Sequence, residues 1–568
     1  MTARLFAAAA LFRIIASAQT VCPPTRIYTP CDLIFDSAQS PDLQAEFRSP
    51  KANTVLAHAF SDGGSKWVIR FTPTEAGTYT YRLNGGKQGE VTAIAAENPG
   101  WLRAANLHHF AYVEGNVLTP HLYMGAVVPA FSSMDLARWK TLVDTRAAQH
   151  FNHLAVTLVD QSASSAFRTP EFFQTAEQKI LYANQHGVIV DLAFFGPGGM
   201  LGRLLPSSSE RRTWFTYALS RLAAFDVVWQ GIEAWETDDN GRALTKEIGE
   251  YLSTLDPYKH TRTTRTLTSS APLMDDGWLR IRSYETSDDA IGGIEQQTYQ
   301  YPAINNFAAD ASNADSFRHR LWNATMNGQY PATAIPDETS ANAMKIWYEF
   351  MQSTRHWELE QFFDVDNGRG LQLEGIEYVI YAEKPGPVTA TVEKHGYDVE
   401  WFNPATGEHS KVKDACKNET CTATPPSAAH DWVLHISRES TKAGMLKSVK
   451  FDSREENLKL QDIEGNPDKI PFDIAGPDTE TLSLSKPAQF SVKMKRQSKA
   501  LQHMSWLWTG EVTVSGRGYR VIATGADGTF QIPANIAETY PAALHVKLYG
   551  MNGLGKVYAL DRNYTLAR

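Results

Sequence analysis

The sequence predicts a multidomain α/β plus all-β protein: a (β/α)8 TIM barrel flanked by β-sandwich domains. Three observations predict it. The chain has 568 residues, more than one ordinary hydrophobic core supports. Short β-rich runs broken by Gly, Asn and Pro turns fill both ends of the chain. Between about residues 105 and 370, continuous apolar runs alternate with helical periods, which is the pattern of βα units.

The N-terminal 18 residues read as a secretory signal. Arg4 supplies the positive start, Leu5 to Ala18 is Ala/Leu/Ile-rich, and Ala16-Ser17-Ala18 fits the small-x-small cleavage rule. This predicts a secreted or periplasmic protein with no membrane insertion after cleavage, since the segment is too short for a stable anchor. Residues 19–98 predict a small sandwich. Val55 to Phe60 and Lys66 to Phe71 are strands around Asp62-Gly63-Gly64, and Thr78 to Leu83 alternates into the next strand.

Residues 99–370 hold the predicted barrel. His121 to Val128 is its first strand and Asp135 to Gln149 its first helix. His153 to Val159 is the second strand, and the helix Pro170 to His186 opens on Pro and stops before Gly187. Val188 to Phe195 is the third strand, Glu210 to Ala223 a helix, and Val227 opens the fourth strand. Arg262 to Leu267 is the fifth; Arg280 to Tyr284 or Ile294 to Tyr299 supplies the sixth. Ser316 to Met326 is a helix, Ala332 to Ile335 the seventh strand, Ala341 to Ser353 a helix, and Trp357 to Phe363 the eighth strand. No Gly-x-Gly-x-x-Gly follows the first strand, which disfavours a dinucleotide fold. Residues 371–438 predict a C-terminal sandwich, with strands Tyr378 to Tyr381, Val388 to Val392, Tyr397 to Phe402 and Trp432 to Ile436. Residues 439–568 predict a further Ig-like β domain, with strands Tyr519 to Thr524 and Leu544 to Leu548.

Composition narrows the function. A hydrophobic share of 43% and a charged share of 21% are ordinary for a globular chain. A net charge of −9 argues against a nucleic-acid partner, which calls for a basic excess. The 14 Trp and 22 Tyr suit sugar rings, whose apolar C–H faces pack on aromatics, although most aromatics fill cores. Cys22 and Cys31 lie close in sequence, as do Cys416 and Cys421, and local pairing gives two disulfide staples in an oxidising compartment. Neither spacing matches a zinc ribbon, and adjacent His108 and His109 point to opposite faces of a strand, so no metal and no cofactor are expected. Asn323-Ala324-Thr325, Asn418-Glu419-Thr420 and Asn563-Tyr564-Thr565 are glycosylation sequons.

The chemistry centres on carboxylates. The run Val227-Val228-Trp229-Gln230-Gly231-Ile232-Glu233-Ala234-Trp235-Glu236 is a buried-strand pattern that ends in acids and aromatics. Tyr330-Pro331-Ala332-Thr333-Ala334-Ile335-Pro336-Asp337-Glu338 is a second such run. Barrel chemistry sits at the C-terminal strand ends. Two carboxylates delivered there suggest glycoside hydrolysis, in which a retaining pair stands about 5–5.5 Å apart. Glu233 is the expected acid/base and Glu338 the expected nucleophile, with Glu236 as the alternative acid/base. Trp235, Tyr299, Trp357 and Asp191 are candidate substrate contacts, and Asp160 a candidate hydroxyl ligand. No Gly-x-Ser-x-Gly elbow supports a serine hydrolase.

Several stretches carry a family likeness. Ser61-Asp62-Gly63-Gly64, Trp67 to Pro73 and Gly77 to Tyr81 stand in the first sandwich. Phe110 to Gly115 and Leu122 to Gly125 enter the barrel. Trp401-Phe402-Asn403-Pro404-Ala405-Thr406-Gly407 stands in the C-terminal sandwich. In that order they resemble secreted bacterial TIM-barrel glycoside hydrolases of the retaining clan, with an N-terminal sandwich and a C-terminal sandwich of the type named for collagen binding. The resemblance implies a carbohydrate substrate, a double-displacement mechanism and catalytic Glu residues at the ends of barrel strands four and seven. Two departures stand out: Ile232 replaces the clan's Asn before the acid/base, and strand seven offers Pro336-Asp337-Glu338 rather than Gly-Glu. The alternative reading is a catalytically inactive carbohydrate- or matrix-binding protein on a degenerate barrel. The collagen-binding label implies a structural sandwich rather than a collagen partner.

Overall fold

The computed structural model describes residues 19–20, 22–36, 42–114, 117–163, 165–238, 240–307, 313–334, 337–439, 444, 460–483, 487–496, 501, 503–514, 517–530 and 540–567. Residues 1–18, the expected signal segment, and much of the polar stretch after Arg438 lie outside them. The protein is multidomain and rich in sheets. It divides into two compact units, residues up to Asn98 together with Tyr217–Phe225, and Pro99–Thr216 together with Asp226–Arg568.

In the first unit, alternating strands bury one face each. Thr54–Ser61 pairs through its first half with Gln44–Arg48 and through its second half with Lys66–Phe71, so one long strand serves both halves of an eight-stranded assembly. The inward residues Leu33, Phe35, Phe47, Ile69, Phe71, Tyr79 and Tyr81 form its core, with Phe47 stacked on Phe71 at 4.0 Å. Cys22 and Cys31 are joined by a disulfide.

The second unit holds a parallel sheet of seven strands: β1 (Gly125–Val128), β2 (His153–Val159), β3 (Ile189–Phe195), β4 (Val227–Trp229), β5 (Arg282–Tyr284), β6 (Ala303–Phe307) and β7 (Gln329–Ala334). Their order is β4-β3-β2-β1-β7-β6-β5. β2 and β3 are buried along their whole length, as strands covered on both faces must be. The outer strands β4 and β5 are linked by segment 261–265. Trp229 bridges Arg262 in parallel, Thr263 N donates to Trp229 O at 2.7 Å, and Arg280 N donates to Arg262 O at 2.8 Å.

Eight α-helices among the described residues accompany this sheet: α1 (Leu136–Ala148), α2 (Pro170–Gln185), α3 (Met200–Leu204), α4 (Ser208–Leu222), α5 (Gly241–Leu255), α6 (Asp289–Thr298), α7 (Ala314–Met326) and α8 (Glu338–Gln352). Side-chain caps fix several starts. Asp135 accepts from Arg138 N, Thr169 from Phe172 N ahead of Pro170, and Asp337 from Ser340 N. Four expectations are corrected here. Ile294 to Thr298 is the end of α6, where the Asp288 cap and an apolar face of helical period dominate. Arg262 to Leu267 forms one bridge rather than a strand. Ala303–Phe307 is an additional strand, so Gln329–Ala334 returns to β1. Within Trp357 to Phe363, only Glu360–Phe362 is extended, and it pairs with Arg369–Leu373 in a different sheet.

Residues 360–438 form a six-stranded and a four-stranded sheet over a core of Tyr378, Ile380, Trp401, Leu434 and Ile436, with Cys416 joined to Cys421. Buried Asp431 ties this layer to α7 by accepting from Arg318 Nε at 3.0 Å and from the Tyr381 hydroxyl at 3.0 Å. From residue 460 onward, a three-stranded and a five-stranded sheet enclose Phe472, Phe490, Trp508, Phe530, Leu544, Val546 and Leu548. Leu507, Tyr549, Met551 and Val557 of this last part share a cluster with Tyr284, Ile291, Ile294 and Ala303.

Candidate functional site

The parallel sheet has two faces, and the side-chain contacts tell them apart. On β3, Phe194 packs against Phe215 of α4 and stacks on Trp229; Phe195 at the strand end also reaches Trp214, but Asp191 turns to Tyr123 and His153, and Ala193 shares the face of Asp191. Ala193 is in register with Thr157 of β2, and two residues earlier Asp191 bonds His153. Thr157, His153 and Asp191 therefore share the helix-free face.

Glu233 reaches the same face from the end of β4. The chain leaves Trp229 through Gly231, whose φ of +48° suits glycine. Ile232 then bridges Phe195, and Glu233 N donates to Phe195 O at 2.9 Å. The Glu233 carboxylate accepts from Thr157 Oγ1 at 2.7 Å and pairs with Arg265 Nη1 at 2.8 Å. Only the methyl group of Ala193 stands between Thr157 and β4 in the register, which is why two non-adjacent strands meet across this face.

Further acids gather here. The Glu236 carboxylate accepts from the Thr266 hydroxyl and from Leu267 N at 3.1 Å. Burial raises its pKa, the Thr266 and Leu267 donors oppose that rise, and the charge of Glu285 adds to it. Glu285 is the first residue past β5, with its N–H bonded to Thr268 O at 3.1 Å. It is exposed, yet partial desolvation raises its pKa, Arg265 opposes the rise and Glu233 adds to it. Glu285 thus feels the charges of Arg265 and Glu233, and Glu236 feels that of Glu285. The Arg265 side chain is 9% exposed, and its Nε has no hydrogen-bond partner among the described residues.

Deeper in the sheet, Asp191 is fully buried. It accepts from the Tyr123 hydroxyl at 2.8 Å and bonds His153 Nδ1 at 2.7 Å, while His153 Nε2 meets His121 Nε2 at 2.9 Å. Burial, and then His153, push the His121 pKa well down, so this relay is held neutral at its outer end. Asp191 is thereby a fully engaged interior group, whose hydrogen bonds leave it no free face for a sugar.

The other expected residues lie elsewhere. Glu338 is the first residue of α8. Asp337 caps that helix through Ser340 N at 2.7 Å, which makes Glu338 an exposed first-turn acid rather than a strand-end group. Pro336, just before it, lies outside the described residues. Tyr299 caps the C-terminus of α6, and its carbonyl accepts from His108. Trp357 is buried beside His356 and Arg355. Trp235 is buried in a one-turn helix after β4 and supports Gly241 of α5. Asp160 accepts from Ser132 Oγ at 2.6 Å and from Ser162 N at 2.9 Å, which fixes a turn. His108 and His109 share Glu360, at 2.8 and 3.4 Å. Among the described residues no group of three or more His, Cys, Asp and Glu is gathered to hold a metal, and no helix is long and apolar enough to cross a membrane.

Arg265 and Glu285 escape sequence reasoning because their segments, one bridge and one three-residue strand, are too short to show alternation. The signal that would find them is phase: Ser283 and Glu285 are two apart, as are Thr263 and Arg265.

Comparison with known proteins fits this geometry. Residues 28–85 match the family described as a domain of unknown function (DUF5060). Residues 373–437 match the family described as a putative collagen-binding domain of a collagenase. No curated protein matches the chain. The fold is similar to that of a putative glycoside hydrolase from Bacteroides vulgatus ATCC 8482, at 18% identity and a TM-score of 0.61, covering 73% of this chain and 99% of that one. It is also similar to a glycoside hydrolase of family 5 from the same organism, at 11% identity and a TM-score of 0.52, covering 60% of this chain and 93% of that one. At these identities the likeness shows the fold alone, which is that of the glycoside hydrolases.

Proposed function

We propose that this chain is a secreted glycoside hydrolase that cleaves a poly- or oligosaccharide at the C-terminal end of its parallel sheet. The seven strands plus segment 261–265 are read as a closed (β/α)8 barrel, in which that end is the site of chemistry. The observation that carries the proposal is Glu233, aimed onto the helix-free face and gripped by Arg265 and Thr157, with Glu236 and Glu285 beside it. Glycosidic cleavage needs one carboxyl to protonate the leaving oxygen and another to attack the anomeric carbon or activate water. A retaining double displacement is the mechanism proposed. Two disulfides suit an exported protein, since such bonds persist in oxidising compartments.

The test is release of reducing sugar from a panel of plant and microbial polysaccharides by the purified protein. Hydrolysis of any member supports the enzyme. A second reading, a carbohydrate-binding protein on an inactive barrel, is favoured by one observation: exposed Glu338 makes no described contact with Glu233. It predicts retardation in a polysaccharide gel without any hydrolysis.

A further inference from the structure

We propose that Glu285 is the second catalytic carboxylate of this site and its general acid, acting with Glu233 as the nucleophile, the reverse of the role that the sequence suggests for Glu233. The inference rests on the glycosidase reading above and names the pair that would carry it out. Geometry argues it first. Tyr284 packs with Ile291 and Ile294 of α6, so it faces the helices. Its neighbours Ser283 and Glu285 therefore point to the opposite face. Ser283 confirms the phase by accepting from Asn306 Nδ2 of β6 at 3.3 Å. Glu285 thus stands at a strand end on the same helix-free face as Glu233, Thr157 and Asp191. Segment 261–265, which carries Arg265, lies between β4 and β5 and so between the two carboxylates.

Two buried polar atoms on this face lack hydrogen-bond partners among the described residues. Arg265 Nε has none although its side chain is nine-tenths buried and its guanidinium reaches Glu233. Asn306 Oδ1 has none either, in a residue 5% exposed whose amide group lies on the same face. Such atoms are costly to bury unsatisfied.

The roles follow from the partners. Glu233 is held by a guanidinium and a hydroxyl donor, which fix its carboxyl group in place for attack. Glu285 makes no side-chain hydrogen bond among the described residues; partial burial raises its pKa, Arg265 opposes the rise and the charge of Glu233 adds to it. In the first step Glu233 Oε forms a bond to the anomeric carbon. The glycosidic C–O bond breaks, and the Glu285 proton passes to the departing oxygen. In the second step water attacks the same carbon, its proton passes to Glu285, and the ester bond to Glu233 breaks. Both carboxyls return to their starting forms, and the sugar leaves with retained configuration. Arg265 is a positioning residue that holds Glu233 for the attack.

The experiment uses the full chain, a panel of aryl glycosides with poor and good leaving groups, and sodium azide. Glu285→Ala is expected to lose roughly 10²- to 10⁴-fold on phenyl glycosides and far less on 2,4-dinitrophenyl glycosides, which need no acid. Azide is expected to restore turnover in Glu285→Ala and yield a glycosyl azide of retained configuration. Glu233→Ala should be inactive on every member. Equal losses for Glu285→Ala on both leaving groups without azide rescue overturn the assignment, and so does azide rescue in Glu233→Ala with retained configuration. A wild-type protein inert toward the aryl panel and toward polysaccharides overturns the glycosidase reading itself. A normal wild type with an unaffected Glu285→Gln overturns only the role of Glu285.

Discussion

At the scale of the residue, the account turns on Glu233 and what holds it. Thr157 on β2 and Arg265 on segment 261–265 fix its carboxylate from two sides. Arg265→Met is expected to leave the fold intact and to lower kcat on whichever glycan the wild type cleaves by roughly tenfold to a hundredfold, with KM changed less, because a positioning residue acts on the attack rather than on binding. Steady-state kinetics on that glycan checks it. Gly231 is equally telling. At φ +48° a Cβ would stand 2.8 Å from Thr264 Oγ1. Gly231→Ala is expected to cost about 1–2 kcal/mol through the left-handed backbone and to displace Glu233, so thermal melting and activity fall together. Glu233 and Glu236 were legible in the sequence because a β-branched run stops at them. Glu338 opens α8 rather than ending a strand, because Pro-Asp-Glu-Thr-Ser is also a helix start and the Asp337 cap takes Glu338 into the helix.

At the scale of the element, β4, the strand that leads to Glu233, is anchored from behind. Trp229 Nε1 donates to Asp256 at 2.9 Å, and Asp256 also accepts from Tyr258 N at 2.9 Å and His260 N at 2.8 Å at the C-terminal end of α5. Burial would raise the Asp256 pKa, but His260, Trp229 and the backbone donors outweigh it and hold the carboxyl at about 2. A carboxyl whose pKa is depressed by folding contributes stability above its unfolded value near 4, and that contribution is lost as pH falls through about 2; it is worth about 2 kcal/mol. Asp256→Asn is expected to lower the melting temperature at pH 7, with the gap to wild type narrowing toward pH 2, as followed by circular dichroism melts. Strands β2 and β3 and helices α1, α2 and α4 were legible because their periods are long and unbroken. Segment 261–265 and β6 were not: the first makes a single bridge, and Ala303–Phe307 reads Ala-Ile-Asn-Asn-Phe, whose two amides resemble a turn.

At the scale of the whole molecule, the last β part is no detachable appendage. Leu507, Tyr549, Met551 and Val557 cover Tyr284, Ile291, Ile294 and Ala303, and Thr524 Oγ1 donates to Asp288, the cap of α6, at 2.6 Å. Each large apolar side chain uncovered forfeits about 1.5–3 kcal/mol. A chain ending at residue 439 is therefore expected to aggregate or melt well below the full protein, as read by size-exclusion chromatography and thermal melting. β5, which delivers Glu285, stands directly on this cluster, so the truncation should cost activity as well as stability. The sequence announced separate β regions through their strand periods, but not this shared core, because Leu507 and Tyr549 look like interior residues of any sheet. The most direct test of the central claim is the rate ratio of Glu233→Gln to wild type on a glycan that the wild type cleaves. The account predicts a loss of roughly 10⁴-fold or more with the native fold retained by circular dichroism. A variant that cleaves at the wild-type rate would contradict it.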